Sequence, residues 1–293
     1  MQTKGTMERE YFYTIDTRGN LIHDDTIIDD GGFIDYFYHK LQPNQSGQQV
    51  EYPYLSICGR EKNYAVAQDT PIVFHHLNDG YLLYADTLKV EFSREKLRYS
   101  HDGILYHEAP IGGFGRILPQ VAMEISKNIQ PFGEYYSYHD SNDKFPWIIE
   151  PTQLPEYIKI LRPRAGNYCA GCGQESPNGL FLSFVFDAHA VTIDSWLTPD
   201  KRLEGALGIM HGGYVSLLLD EAMGKVLTGM GIKAPTGNLN VRFRKPTPLG
   251  ATLQLHAQFI ENQGRKYFLK GELRDAGGIV LAEAEGLFIA IKA

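Results

Sequence analysis

The chain has 293 residues, of which 43% are hydrophobic and 22% are charged, and its formal net charge is −7. These values are typical of a globular protein with room for about two domains, and the acidic balance gives no sign of nucleic-acid binding. No apolar run approaches the ~20 residues of a membrane helix, and the first residues lack a signal-peptide core, so we expect no membrane insertion. Three cysteines favour a reducing compartment over a disulfide framework, and we predict a cytoplasmic protein.

Residues 1–162 combine many tyrosines and phenylalanines with hairpin-like segments. Apolar alternation and turn residues predict a β-rich α+β domain. Several prolines between Pro146 and Pro163 mark its end, so we place the domain boundary after residue 162. The predicted strands are 11–16, 21–22, 71–74, 81–84 and 88–92, and the predicted helices are 32–41 and 121–129.

Residues 163–293 show a different pattern, in which one apolar helix lies among strands. Alternation with a period of two predicts six strands, and an apolar run that starts at two glycines predicts the helix. One helix wrapped by an antiparallel sheet is an α+β layer arrangement. The predicted strands are 180–186, 191–197, 239–244, 253–259, 267–274 and 280–291, and the helix starts at residues 211–213.

The apolar helix carries an acid at Asp220. Glu221 has an ion-pair partner four residues on, in Lys225, so we predict that Glu221 lies at the surface or in an interface. Asp220 has only apolar or small neighbours at helical spacing, and a carboxylate on a helix that must be buried is costly unless it has a use. We therefore predict that Asp220 is the working acid. The alternative is a structural acid bonded to the backbone or to a hydroxyl.

The start of the same helix offers a second chemical group. The first N–H groups of a helix have no intrahelical partner, and with the helix dipole they can hold an oxygen that gains negative charge. Gly212 has no Cβ, so a carbonyl can approach its backbone closely. An acid and an oxyanion donor on one short element indicate acyl-transfer chemistry.

With these motifs, residues 166–293 resemble hotdog-fold acyl-CoA thioesterases of the small phenylacetate-pathway type. The resemblance implies that the sheet wraps the helix and that an acyl-CoA is hydrolysed to free acid and CoA. It also implies a homodimer or homotetramer, because the family's sites form where two subunits meet. The matching blocks are 211–213, 220–224, 236–241, 245–246, 264–266 and 282–284.

The resemblance assigns four catalytic residues. Asp220 is the acid, either as general base or as nucleophile, and the N–H of Gly212 is the oxyanion donor. Thr236 opens the strand after the helix and orients water or Asp220, although a threonine there also bonds its own turn. His211 has a supporting role in the loop before the helix.

The resemblance also indicates how coenzyme A is held. Arg265 and Lys266 correspond to basic residues that meet its phosphates. Apart from the resemblance, Arg242 belongs to a stripe of basic residues between 239 and 274 that is consistent with a small anionic ligand, or with solvated strand faces. We assign Arg242 and its neighbour Asn240 to coenzyme A binding as well. We expect no separate cofactor, because coenzyme A is part of the substrate, and no metal ion.

Cys169-Ala-Gly-Cys172-Gly has the spacing of a pair of metal ligands. A structural zinc site needs four ligands, and the third cysteine, Cys58, lies in the other half. His189 or another residue would have to complete the site. We therefore interpret the segment as a glycine-rich turn before the first strand of this half.

Residues 7–160 resemble an uncharacterised family, a domain of unknown function, through blocks such as 9–13, 58–61 and 71–74. No mechanism comes with this resemblance. Two rival functions stay open. One is a non-catalytic acyl-CoA or lipid sensor with the first half as a partner or regulatory module. The other is a dehydratase, which pairs a histidine with an acid in an arrangement not evident around Asp220.

Overall fold

The computed structural model describes residues 9–291, and the contacts between residues divide the chain into two units. The first unit runs to Ile129 and includes Ile149–Gln153, and the second comprises Gln130–Ile148 and continues from Leu154. The boundary after residue 162 stays a prediction.

The described residues form many short strands and three α-helices. The first part of the chain contains β1 (Arg9–Ile15), β2 (Leu21–His23), β3 (Thr26–Ile27), α1 (Gly31–Lys40), β4 (Leu41–Pro43), β5 (Tyr54–Cys58), β6 (Glu61–Ala67), β7 (Val73–Phe74), β8 (His76–Asn78), β9 (Tyr81–Tyr84), β10 (Leu88–Glu91), β11 (Leu97–Tyr99), β12 (Leu105–Glu108), β13 (Phe114–Ile117) and α2 (Pro119–Ile125). It continues with β14 (Ile129–Phe132), β15 (Tyr135–Tyr138), β16 (Trp147–Pro151), β17 (Ile158–Leu161), β18 (Phe184–Asp187), β19 (Thr192–Leu197), β20 (Glu204–Ala206), β21 (Ile209–Met210), α3 (Gly212–Gly229), β22 (Thr236–Phe243), β23 (Leu253–Gln263), β24 (Lys266–Asp275) and β25 (Val280–Ile289).

The first unit is sheet-rich. A six-stranded sheet has the order β3-β2-β1-β6-β5-β4, in which only β1 and β6 run parallel. The strands β10, β9 and β8 form a second sheet, and β16, β11, β12, β13 and β7 are successive neighbours in a third. The helix α1 is capped by Asp30, whose carboxylate accepts a hydrogen bond from the N–H of Phe33, and it buries Phe37 and Tyr38.

The second unit consists mainly of a seven-stranded sheet with one long helix against it. The strand order is β17-β18-β19-β23-β24-β25-β22, and every neighbouring pair is antiparallel. Alternate residues of the strands, such as Leu253, Leu255 and Ala257, share one hydrophobic core with the buried side of α3. The predicted arrangement of one helix on an antiparallel sheet is confirmed, with β17 as a seventh strand that the sequence pattern did not reveal.

Glycines fix both the end of α3 and its approach to the sheet. Gly231 has a φ of +78°, and bonds from Gly231 N–H to Thr228 O and from Ile232 N–H to Leu227 O close the helix in a Schellman motif. On β25, a Cβ at Gly286 would lie 2.9 Å from Sδ of Met223. The absence of a side chain there lets the helix lie close to the strand.

Two predicted elements differ from the structure. The helix at 121–129 ends at Ile125 and is followed by a 3-10 turn, Ser126–Asn128. The strand at 180–186 was wrong for residues 180–183, because the N–H groups of Leu180 and Leu182 donate to Ala170 and Gly171 in the preceding loop. No helix among residues 9–291 combines the length and the hydropathy needed to cross a membrane.

Candidate active site

The start of α3 is held by the polypeptide around it. The N–H of Met210 donates to Thr247 O and that of His211 to Leu203 O, each at 2.8 Å. The Nδ1 atom of His211 accepts a hydrogen bond from the N–H of Gly213 at 3.0 Å and so caps the helix. Because Nδ1 is the acceptor, the proton of the neutral ring lies on Nε2. His211 therefore shapes the helix start, the supporting position that the sequence suggested.

Gly212 is the first residue of α3. Within residues 9–291 its N–H donates no hydrogen bond, as expected for an unsatisfied first-turn amide. A Cβ at Gly212 would lie 3.3 Å from the ring of Phe243, which is 57% exposed at the end of β22. The glycine thus leaves an accessible amide beside an edge strand.

Asp220 and Thr236 lie together, as the resemblance implied. Thr236 Oγ1 donates a hydrogen bond of 2.7 Å to Asp220 Oδ1. The acid is half-buried on α3, and the hydroxyl is exposed at the start of β22. Asp220 has no ion-pair partner in the described part of the chain. One carboxylate oxygen is therefore fixed by a neutral donor, and the charge of the group is not neutralised.

The expected oxyanion donor and the expected acid are far apart along the helix. Asp220 lies eight positions after Gly212, which corresponds to about 12 Å at 1.5 Å per residue. An oxyanion donor and a general base must each lie within about 3 Å of the atoms they serve at one reacting carbonyl. The Gly212 and Asp220 of one chain are therefore too far apart to act on the same thioester.

The edge strand β22 lies beside both groups. It is the last strand of its sheet, and six of its eight residues are exposed. Thr236 stands at one end of the strand and Phe243 at the other, next to Gly212. An exposed edge with unpaired backbone groups is a surface on which another chain can pair.

The residues expected to bind coenzyme A fall into two places. Arg265 and Lys266 are exposed at the turn between β23 and β24, and Arg265 Nη1 donates to Ala290 O at 3.4 Å. Asn240 and Arg242 lie on the sheet face opposite α3, in a cavity of about 220 Å³. Lys270, which also lines that cavity, is four residues beyond Lys266 along β24, or about 13 Å.

The cavity at Asn240 is not purely basic. Glu272, Glu283 and Glu285 line it together with Arg242 and Lys270. Arg242 lies 3.9 Å from Glu283, and Arg244 pairs with the same carboxylate. These carboxylates offset the positive charge, so the cavity suits a phosphate less well than the exposed turn at Arg265.

A histidine and an acid do pair in the second unit, but away from the helix. His256 Nδ1 lies 2.9 Å from Asp194 Oδ1, between neighbouring strands β23 and β19. The residues that flank them, Ile193 and Leu255 among others, are buried against the core. The pair therefore occupies the sheet face opposite α3, remote from Asp220.

The predicted surface position of Glu221 was wrong. The predicted ion pair exists, with Lys225 Nζ 3.3 Å from Glu221 Oε1. However, the Lys225 side chain is only 7% exposed and the Glu221 side chain only 14%. The loop that contains Cys169 and Cys172 covers this side of the helix, since Cys169 Sγ donates to Glu221 Oε2 at 3.3 Å. Burial, followed by the charge of Glu221, raises the pKa of Cys172 to about 12.

Comparison with known proteins relates both parts of the chain to families. The chain belongs to the family described as Domain of unknown function (DUF4505), whose model matches residues 1–157. A second family model, Thioesterase superfamily, matches residues 207–282, which include α3, β22 and β23. The resemblances of the two halves are confirmed.

Individual relatives match a part of the chain. The Bos taurus protein named Acyl-coenzyme A thioesterase THEM4 is 36% identical over 88 residues, which cover 30% of this chain and 36% of that protein. The Mus musculus protein of the same name is 33% identical over 89 residues, covering 30% and 38%. The crystal structure of a thioesterase superfamily protein is 29% identical with a TM-score of 0.40, covering 42% of this chain and 60% of that one. The chain thus spans little more than a third of the curated relatives it matches.

Proposed function

We propose that the chain hydrolyses an acyl-CoA thioester to a free acid and CoA. The observation that carries the proposal is the 2.7 Å bond from Thr236 to Asp220, on a helix whose first N–H, at Gly212, has no partner among the described residues. The match to the thioesterase superfamily and the names of the bovine and mouse relatives support it. We further propose a cytoplasmic location.

The chemistry requires an activated oxygen and a stabilised oxyanion. In one route, Asp220 removes a proton from water while the water oxygen attacks the thioester carbon. In the other, the carboxylate attacks directly, and water then hydrolyses the resulting anhydride. In both, the N–H of Gly212 stabilises the oxyanion, the carbon–sulfur bond breaks, and the CoA thiolate takes up a proton. Thr236 occupies Oδ1 of Asp220, so the other oxygen, Oδ2, faces the water or the carbonyl.

The separation of about 12 Å along α3 leads us to propose that two copies build each site. Gly212 of one copy supplies the oxyanion donor, and Asp220 and Thr236 of the other supply the acid and the hydroxyl. The exposed edge strand β22 supports this arrangement, because it lies beside both groups. Among the described residues its outer edge pairs with no other strand, so a second copy can pair there. A homodimer is the smallest assembly that suffices, and a homotetramer contains the same pairs.

Charge and exposure indicate which residues contact the coenzyme A part of the substrate. We propose that Arg265 and Lys266 contact its phosphates, because both are exposed and neither is paired with a carboxylate in the described residues. Asn240 and Arg242 are the weaker candidates, since carboxylates surround them. Coenzyme A belongs to the substrate, and the proposed reaction needs no separate cofactor.

The direct test measures turnover of short, medium, long and aryl acyl-CoAs by the full chain. Asp220→Asn should lower kcat by about 10²- to 10⁴-fold, the usual contribution of a positioned acid–base group. Asp194→Asn is the matched control, because it makes the same change in the acid that pairs with His256, and it should keep activity. Full activity in Asp220→Asn would remove the catalytic assignment.

The same measurement separates the rival functions. A non-catalytic sensor would bind acyl-CoA without turnover in the unaltered chain. A dehydratase that uses His256 and Asp194 would lose its activity in Asp194→Asn and keep it in Asp220→Asn. Single-turnover hydrolysis in heavy-oxygen water identifies direct attack where the label enters Asp220, which happens when water attacks the anhydride at the carboxyl carbon of Asp220. Chemical trapping of the anhydride covers the case in which water attacks the acyl carbon and Asp220 keeps its own oxygens.

A further inference from the structure

Four polar side chains meet on the side of α3 that the loop before β18 covers. Cys169 Sγ lies 3.3 Å from Glu221 Oε2, and Lys225 Nζ lies 2.8 Å from Cys172 Sγ and 3.3 Å from Glu221 Oε1. Counted as whole residues, Cys172 is 2% exposed and Lys225 is 5% exposed, whereas Cys169 is half-buried. This cluster takes no part in the proposed hydrolysis.

We propose that Cys169, Cys172 and Glu221 bind a divalent transition-metal ion, with Zn²⁺ the favoured one. Their sulfur and carboxylate atoms all lie within 4.8 Å of one another. At normal Zn–S and Zn–O bond lengths, a tetrahedral ion places a sulfur and an oxygen ligand about 3.6 Å apart. The 3.3 Å between Cys169 Sγ and Glu221 Oε2 differs from that value by a few tenths of an ångström. Two sulfurs and one oxygen in tetrahedral geometry suit zinc better than magnesium or calcium.

Hydrogen bonds and two glycines within the loop fix the turn that carries the two cysteines. The N–H of Cys169 donates to Asn167 Oδ1 at 2.8 Å, and the N–H of Gly173 donates to Cys169 O at 2.9 Å. A Cβ at Gly173 would lie 2.3 Å from Asn167 O, so the tight turn requires glycine. A Cβ at Gly171 would lie 2.8 Å from Glu221, so a second glycine lets the turn approach the carboxylate.

The charges of the cluster balance when an ion is bound. Two thiolates and one carboxylate exceed the charge of a divalent ion by one negative charge, and the ammonium of Lys225 neutralises it. On binding, each S–H bond is replaced by a bond from sulfur to the metal, and the two protons pass to solvent. Lys225 Nζ lies 2.8 Å from Cys172 Sγ, close enough to donate a hydrogen bond to the sulfur once the ion has replaced its proton.

The position of Lys225 indicates its role in the site. It is an outer partner that hydrogen-bonds a ligand, in the way that second-layer groups orient metal ligands. Three protein ligands leave one coordination position for water, and the half-buried Cys169 marks the side from which the ion enters. The ion would join the loop to the turn of α3 that also carries Asp220.

The test uses the full chain, kept reduced, stripped of metal with a chelator and then titrated with Co²⁺ as the spectroscopic probe. We expect one Co²⁺ per chain, with thiolate-to-cobalt charge-transfer absorption and the visible bands of tetrahedral cobalt, and displacement by Zn²⁺. Cys172→Ser and Glu221→Gln should weaken binding by at least about 100-fold, and Lys225→Met by about 10- to 100-fold. Cys58→Ser is the matched control, because Cys58 is a buried free cysteine outside the cluster, and it should bind as the unaltered chain does.

Two results would overturn the metal site. One is the absence of charge-transfer absorption in the unaltered, reduced chain, which needs no variant and so does not depend on whether variants fold. The other is cobalt binding that Cys172→Ser leaves unchanged, with folding verified by circular dichroism. Neither result bears on thioester hydrolysis, which is measured separately.

Discussion

Thr236 and Asp220 are joined by a hydrogen bond of 2.7 Å, although sixteen positions separate them in the chain. The bond links the first residue of β22 to the middle of α3 and fixes one oxygen of the acid. The proposed mechanism uses the other carboxylate oxygen of Asp220.

This bond predicts the behaviour of two substitutions at Thr236. Thr236→Val replaces the hydroxyl by a methyl group of similar size and should lower kcat by about 10- to 100-fold, the value of a hydrogen bond to a charged group. Thr236→Ser keeps the hydroxyl and should retain most of the activity. The side chain is exposed, so the melting temperature should change little in either variant. Steady-state kinetics with one acyl-CoA measures the difference, and equal kcat values for Val and Ser would exclude this role.

A stability prediction follows from the close contact between α3 and β25. Gly286→Ala introduces a Cβ 2.7 Å from the ring of Phe288 and 2.9 Å from Met223 Sδ, and overpacking of this kind should cost about 1–3 kcal/mol. Gly224→Ala is the matched control, because its Cβ would lie 3.8 Å from Phe288 inside a helix. The control should stabilise the protein by up to about 1 kcal/mol. Urea unfolding measures both free energies, and a neutral Gly286→Ala would show that the helix can move away from the strand.

The first unit should lose stability in mild acid through His107. Burial is the main cause that lowers the pKa of this ring below its ordinary value of 6.5. Its Nε2 accepts from the N–H of Ser93 at 3.1 Å and its Nδ1 lies 2.9 Å from Glu108 O, which is the pattern of a neutral ring. As the pH falls below 6.5, the unfolded chain takes up a proton that the folded chain does not. The free energy of unfolding therefore falls, by at most about 1.4 kcal/mol per pH unit for one proton, until the pH passes the lowered pKa.

Urea unfolding between pH 7 and pH 5 tests this effect. His107→Gln removes the titrating group and should reduce the loss of stability across that range. His101→Gln is the control, because it makes the same change at a histidine whose side chain is fully exposed. An unchanged slope in His107→Gln would assign the acid sensitivity to other groups.

The sequence predicted features that depend on near neighbours. The apolar surface of α3, its glycine start and the alternation along β22 to β25 are local patterns, and the structure contains these elements. The sequence did not predict that the Glu221 side chain is only 14% exposed, because the loop that covers it contacts it from 52 positions away. Residues 180–183 alternate like a strand, but hydrogen bonds to Ala170 and Gly171 hold them in the loop instead. Hydrophobic periodicity reflects local structure and gives no information about such long-range contacts.

A test of the proposal that two copies share each site needs a variant that removes the N–H of Gly212 without damaging the helix. Gly212→Pro deletes the N–H at the first helical position, where proline is well tolerated. The residue before it, His211, already has a φ of −63° and a ψ of 134°, the region that a following proline requires. Gly212→Pro should lower kcat by about 10²- to 10³-fold, as the loss of an oxyanion donor does. Gly212→Ala keeps the N–H and meets only the exposed ring of Phe243, so it should remain active.

The most direct test of the central claim mixes two inactive variants. Asp220→Asn and Gly212→Pro are produced together with separate tags, and the purified mixed assemblies are compared with each variant alone. If each site takes Gly212 from one copy and Asp220 from the other, a purified mixed dimer regains one of its two sites and about half of the unaltered activity. The unseparated mixture, in which random pairing makes half of the dimers mixed, should show about one quarter. If both groups acted within one chain, every site in the mixture would carry a defect. Activity no higher than that of the separate variants would contradict the shared site.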